Sequence, residues 1–223
     1  MQQWESVLAS CILFKDINSA DYAQILERTN ARIVSYEPND LLIRLGETTT
    51  FAGIVLDGTV EIGFYDEAGS PVNVNHLRAP EPFADAIACS HMPSVIQARA
   101  VDACTVLWMD TAALMTSAAS GTCPSAAQLM ENMVRMLSRK NIFLNRKMQI
   151  LAQKRTRDRI KMYLRNRCLP DSDTQVSFSR NDLAHYLNVD RSALSRELGR
   201  MRDEGIIDIR GNAIVVVDPS FLD

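Results

Sequence analysis

From about residue 31 to residue 110, short alternating apolar and polar runs are broken by turn formers; beyond residue 124 a helical period takes over. Ala31–Tyr36 leads into Pro38-Asn39-Asp40, and Leu41–Arg44 into Gly46-Glu47. Gly53–Leu56 meets Asp57-Gly58, a strong hairpin-turn signal, and Thr59–Tyr65 alternates on its far side, so a hairpin is expected there. Further strands are expected at 72–77, 95–101 and 104–109. This spacing predicts a compact β sandwich or barrel. Residues 2–29 ahead of it read as helical, with Asp21–Arg28 a short amphipathic segment.

From Pro124 to Ala152 apolar residues recur every seven positions. Met130, Leu137, Leu144 and Leu151 form one row, and Leu129, Met136, Phe143 and Ile150 lie beside it. Ala126 and Met133 fill the half-heptad positions, while Lys140 and Lys147 interrupt the stripe. A helix of this length runs roughly 43 Å. Two copies would bury a stripe that one small domain cannot cover, so we expect self-association through Met130, Met133, Leu137, Leu144 and Leu151. Packing on its own domain is the alternative.

Residues 179–199 carry the sharpest signal. Ser179 followed by Asp182 resembles a capping box, and Leu183, Ala184 and Leu187 give the new helix a buried face. Asn188 stands where the chain must turn in the left-handed conformation, and Val189 plugs that turn. A second helix begins at Arg191, with Leu194 and Leu198 inward. The spacing of Ala184, Asn188 and Leu194 is that of a helix-turn-helix. Arg191, Ser192, Ser195 and Arg196 then lie on the outer, N-terminal part of the second helix, which such units offer to base edges. Ile206–Arg210 and Ala213–Val217 flank Gly211-Asn212 as a hairpin, making the unit a winged helix-turn-helix.

Charge agrees with this division. Residues 1–138 hold 7 lysines and arginines against 16 aspartates and glutamates, whereas residues 139–210 hold 17 against 9. A basic rear half points to nucleic acid. The 223 residues are 47% hydrophobic and 23% charged, which excludes wholesale disorder. The longest aliphatic run is Ala213–Val217, and the N-terminus lacks a signal-peptide pattern, so a cytoplasmic protein without membrane partners is expected. Cys11, Cys89, Cys104, Cys123 and Cys168 form no Cys-x-x-Cys pair and read as reduced thiols, with no metal site expected. No Gly-x-Ser-x-Gly, His-Glu-x-x-His or phosphate-cradling glycine loop occurs, and we expect no enzyme.

The order of parts, from about Leu8 to Leu222, resembles the Crp–Fnr superfamily of bacterial transcription regulators, most specifically between Leu183 and Gly205. The resemblance implies an α+β chain. A double-stranded β-helix of jelly-roll type would occupy residues 1–123, a dimerisation helix 124–152, and a winged helix-turn-helix 153–223. It implies base contacts from Arg191 and Arg196 and a phosphate contact from Arg180. Asn188 replaces the family's usual Gly, and Ser192 stands where many members carry a base-reading Glu. It further implies a homodimer on an inverted-repeat operator in double-stranded DNA, and RNA polymerase as a partner if the chain activates transcription.

The family's cyclic nucleotide cassette corresponds to Phe83–Ile87 and Met92–Arg99. Here Ala84 replaces a Gly, Asp85 shortens a Glu, and Ser94 occupies the position of the phosphate-binding Arg. Cyclic AMP and cyclic GMP are therefore not expected as effectors, because an anion buried without its cation is costly. Phe83, Asp85, Ile87, Met92, Ser94 and Ile96, with Met130 and Met133 from the long helix, would line the pocket for a different effector. A closed core without ligand is the alternative. His76 and His91 are candidate haem ligands, and Cys89 and Cys104 candidate redox switches. A signalling module that binds a protein rather than DNA is the competing function.

Overall fold

A computed structural model describes residues 2–65, 68, 70–121, 123–167 and 175–222. Cys168 lies outside them. The chain forms two units, Met1–Arg139 and Lys140–Asp223.

The first unit opens with helices α1 (Glu5–Ser10) and α2 (Tyr22–Arg28). The expected helical stretch is broken between them by 3-10 turns and by Asp16 at φ 61°. Strands β1 (Arg32–Tyr36), β2 (Leu41–Ile43), β3 (Phe51–Asp57), β4 (Thr59–Tyr65), β5 (Pro71–Arg78) and β6 (Pro82–Phe83) follow. Helix α3 (Asp85–Ser90), strands β7 (Gln97–Ala100) and β8 (Cys104–Asp110), helix α4 (Thr111–Ala119) and the first part of helix α5 (Pro124–Leu151), which continues into the second unit, complete the series. The strands build two four-stranded antiparallel sheets, in the orders β1-β8-β3-β6 and β2-β7-β4-β5. This is the jelly-roll-like architecture the sequence leads one to expect.

One expectation fails. Asp57-Gly58 does not close a hairpin, because β3 and β4 belong to different sheets. The turn is a corner at which the chain steps from one layer to the other. Gly58 has φ +78°, and a Cβ there would lie 2.5 Å from the Ala103 carbonyl oxygen and 2.6 Å from Cys104 Cβ. Thr59 N–H donates to Asp102 Oδ1 at 2.6 Å, fixing the corner from the opposite loop. Glycine is thus needed both for conformation and for close approach. The turn chemistry was legible; the pairing partner was not.

Strand β3 is buried on both faces. Ala52, Ile54 and Leu56 point into a core made with α1, α2, α4 and the first half of α5, where Leu8, Ile25, Leu114, Leu129 and Met133 meet them. Val55 points the other way, into the interior between the sheets, with Val60, Ala98, Val106 and Trp108. Two covered faces give a near-continuous apolar run instead of strict alternation.

The second unit contains α6 (Thr156–Arg167), β9 (Gln175–Ser177), α7 (Arg180–Leu187), α8 (Arg191–Asp203), β10 (Ile207–Arg210) and β11 (Ala213–Val216). Its sheet runs β10-β11-β9. Ile150, Ile160, Leu164, Leu183, Leu194, Leu198, Met201 and Ile214 form its core. Among the described residues no helix is long and apolar enough to cross a membrane.

Candidate functional site

The helix-turn-helix forms where its chemistry demands. Ser179 caps α7, its hydroxyl accepting from Asp182 N–H at 3.5 Å. Asn188 ends the helix in the left-handed region at φ 50°, and Val189 N–H reaches back to the Ala184 carbonyl at 3.0 Å. Small Ala184, buried beside Leu194, lets the two helices cross. Arg191, Ser192 and Arg196 are exposed on α8, and Ser195 is half-buried. Arg196 Nε donates to the Ser192 carbonyl at 3.4 Å, which lays its side chain back along the helix. Arg180 does not simply face outward: its Nη1 donates to Ser195 Oγ at 3.3 Å, tying α7 to α8. The five residues therefore gather on one surface of one unit.

Two arginines that hold this surface carry no distinctive sequence signal, since α6 reads only as a run of basic residues. Arg157 Nε donates to Glu197 Oε1 at 2.6 Å and its Nη2 to Glu204 Oε1 at 2.7 Å, bracing α8 and the residue that caps its end. Arg159 Nη1 donates to the carbonyls of Leu187 (3.1 Å) and Asn188 (2.9 Å), satisfying acceptors that the end of α7 leaves over. Arg157 Nη2, by its hydrogen bond, holds the Glu204 carboxyl below its ordinary range. In Arg157→Ala the largely buried Glu197 loses that cation, and the second unit should lose about 1–3 kcal/mol in thermal or denaturant unfolding. Glu204 titrates lower when folded than unfolded. Its share of the Arg157 effect is therefore present above the usual carboxylate range and disappears as pH falls through the folded value. The gap between the two proteins should narrow in acid.

Helix α5 shows two faces. Ala126, Leu129, Met133 and Met136 are buried against the chain's own core, and Asn132 Nδ2 donates to the carbonyls of Leu13 (2.9 Å) and Lys15 (2.7 Å). Met133, expected at a partner interface, is 1% exposed within its own chain. Met130, Leu137 and Leu151 are half-buried, and Leu144 is exposed. The neighbouring row adds exposed Val134 and Met148, which the sequence reading passed over. Lys147 lies to one side of this row, its Nζ 5.4 Å from the Tyr186 ring centroid.

The sensor residues do not collect into one pocket wall. Phe83 is buried between the sheets, edge-on to Trp108 at 5.2 Å, and its ring fills the notch where a Cβ on Gly53 would lie 2.6 Å from it. Met133, with Met130 packed against it, belongs to the other core. Asp85 is buried, Ile87 and Ile96 are half-buried, and Met92 is 65% exposed. Ser94 is buried, but its hydroxyl is engaged locally. It donates to the Ile96 carbonyl at 2.7 Å and accepts from Ile96 N–H at 3.3 Å. Arg99 lies on the outer face of its sheet, because Ala98 and Ala100 on either side point inward; its Nη2 donates to Glu61 Oε1 at 2.7 Å. His76 is on that outer face too, 3.6 Å from Glu61, and His91 is exposed at the end of α3. Neither imidazole is set to hold a haem inside the roll.

Burial, helped by the carboxylates of Asp102, Asp40 and Asp57, pushes the Cys104 thiol up to about 11. Burial likewise raises Cys89, whose Sγ lies 3.7 Å from Met133 Sδ. A shift of that size at Cys104 leaves about 100-fold less thiolate at neutral pH than an unshifted cysteine. In the folded protein Cys104 should therefore resist iodoacetamide while the unfolded chain reacts, as mass spectrometry of the digested protein would show.

These two units match separate families: residues 33–119 the cyclic nucleotide-binding domain, and residues 148–223 the Crp-like helix-turn-helix domain. The order of the two, a cyclic nucleotide-binding domain followed by a Crp-like helix-turn-helix domain, is a Crp/Fnr-type architecture. The Crp/Fnr-type fold extends over almost its whole length. The catabolite activator protein of Thermus thermophilus superposes with a TM-score of 0.57, covering 95% of this chain and 96% of that one at 16% identity. The sensor domain of the transcriptional regulator DNR from Pseudomonas aeruginosa gives 0.52, covering 69% of this chain and 96% of that one at 17% identity. At such identities the likeness concerns the fold alone. Electron transport regulator A of Shewanella oneidensis is 26% identical over 106 residues, 44% of this chain and 41% of that protein. The match thus spans less than half of that relative.

Proposed function

We propose that this Crp/Fnr-type chain acts as a homodimer that reads a specific DNA sequence. In this reading two copies pair along α5 and each presents α8 to a major groove, with Arg191, Ser192, Ser195 and Arg196 toward base edges. Arg180 then positions the unit against phosphate while bracing Ser195. The observation that carries the proposal is the row of exposed arginine and serine on α8, held from behind by Arg157 and Arg180. Selection of bound duplexes from a random pool tests it. The expected product is an inverted repeat with half-site centres about 10–10.5 base pairs apart. Affinity should fall steeply with salt as phosphate contacts release counterions. Retention of every sequence alike, or salt-insensitive retention, would instead support the protein-binding module. Arg180→Ala should weaken all sequences equally and lower the salt slope by about one per half-site.

The sensor domain in this proposal responds to something other than a cyclic nucleotide, or to no small molecule. Ser94 supplies no cation, its hydroxyl is engaged within its own loop, and Arg99 is turned away from the interior. A neutral hydrogen bond contributes about 0.5–1.5 kcal/mol, a charge-assisted one about 1.5–3, and only the latter offsets the ligand's charge. Calorimetry with cyclic AMP or cyclic GMP at millimolar concentration should show no saturable heat. A micromolar dissociation constant would refute this part of the proposal.

A further inference from the structure

Asn141 lies on the exposed row of α5, seven residues from both Val134 and Met148, with Leu137 and Leu144 on the adjoining row. In heptad terms Val134, Asn141 and Met148 occupy one core position of a two-helix seam, and Leu137 and Leu144 the other. The strip is otherwise apolar; Leu137 is half-buried against the chain's own core, and the others are turned away from it. Val134 is 54% exposed, Leu144 57% and Met148 64%. Asn141 is thus a single amide set in the middle of a hydrophobic strip.

Resting on the reading that two copies pair along α5, we propose that Asn141 fixes how they pair: two strands, parallel and in register. In a parallel pair each heptad core position meets its own equivalent, so Asn141 meets Asn141 of the second copy and the amides can bond oxygen to nitrogen. In an antiparallel pair the two core positions face each other, and Asn141 would be buried against leucine. A slip of one heptad would bury it against valine or methionine. Each wrong arrangement sets both Asn141 amides against apolar side chains across the seam and forfeits the bond between them, which is costly.

Two further observations bear on this pairing, one on how the amide is held and one on the direction of the chains. Asn145 Nδ2 donates to Asn141 Oδ1 at 2.7 Å one turn along the helix, which restrains the Asn141 amide. Lys140 flanks the seam at the position that, in a parallel pair, faces residue 145 of the second copy, an asparagine. In an antiparallel pair such flanking positions face one another, so Lys140 would approach the cationic flank of the second copy. The charge pattern therefore disfavours the antiparallel arrangement, as Asn141 does.

The test uses the full chain carrying Val134→Cys, alone and mixed with a differently tagged chain carrying Leu144→Cys, which faces residue 134 when antiparallel chains set Asn141 against Leu137; mild oxidation follows, and the unsubstituted chain supplies the background from native cysteines. With Asn141 present, the 134–134 disulfide should dominate and the mixed 134–144 product should be at background. In Asn141→Leu the mixed product should rise at least tenfold, species larger than two chains should appear in sedimentation, and chain association should tighten at least tenfold. Asn145→Ala should loosen the pattern in the same direction and to a smaller extent. If the 134–134 disulfide forms but neither its yield nor the assembly size depends on residue 141, the role of Asn141 is refuted while pairing along α5 stands. A dimer that forms no 134–134 disulfide refutes both.

Discussion

Leu144→Asp is expected to separate the two copies and to remove operator binding in the same step. Leu144 is 57% exposed, so the isolated chain loses little when it is replaced. Leu137, the more obvious choice from the heptads, is half-buried against its own core and would confound folding with pairing. In the paired state the substitution removes one leucine from each copy, at about 1.5–3 kcal/mol for each full burial. It also asks two carboxylates to approach each other in an apolar seam. The sum is several kcal/mol, or more than a hundredfold in the dimer dissociation constant. A single winged unit reading one half-site then lacks the second half of its contacts. Sedimentation and DNA retention should change together, with an unaltered circular dichroism spectrum. A Leu144→Asp protein that remains a dimer places the interface on another surface.

Arg196→Ala should flatten sequence preference without unfolding the second unit. Its side chain is exposed, and its one internal bond, to the Ser192 carbonyl, is long. A bidentate arginine contact to guanine discriminates by about 1–3 kcal/mol. A symmetric dimer loses two such contacts, so a preference of about thirtyfold to more than a thousandfold should collapse for the selected sequence. Non-specific affinity should fall much less. If the selected site is bound by Arg196→Ala with unchanged affinity and preference, α8 does not read bases through this residue.

The second unit was the more legible because its signals are local. Ser179 as cap, Asn188 as left-handed turn, Gly211 as wing turn and the inward spacing of Leu194 and Leu198 all act within a few residues of themselves. The sandwich strands were legible for the same reason. Their pairing was not, because which strand lies beside β3 depends on residues some fifty positions away, β8 above all. The bracing by Arg157 and Arg159 was hidden likewise: each reaches across 28 to 47 residues to partners that no spacing rule singles out. On α5 the heptads located the stripe but not which edge of it the chain covers itself. That division depends on Asn132 reaching two carbonyls more than a hundred residues earlier, which seats Met133 inward and leaves Val134 and Met148 out.

β3 is a party wall. Ile54, at 0% exposure, belongs to the room shared with the helices; Val55, also at 0%, belongs to the room between the sheets. Consecutive residues thus furnish separate compartments while hanging from a single peptide link. Trimming either side chain leaves a void, about 2–5 kcal/mol for Ile54→Ala, and the strand can settle toward that void only by withdrawing from the other room. Damage on one side is therefore never confined to it. Cutting back both residues should cost something other than the sum of the separate losses, as neighbours on a shared backbone do. The interior where an effector would sit and the packing that seats the long helix are, at this strand, two sides of the same partition.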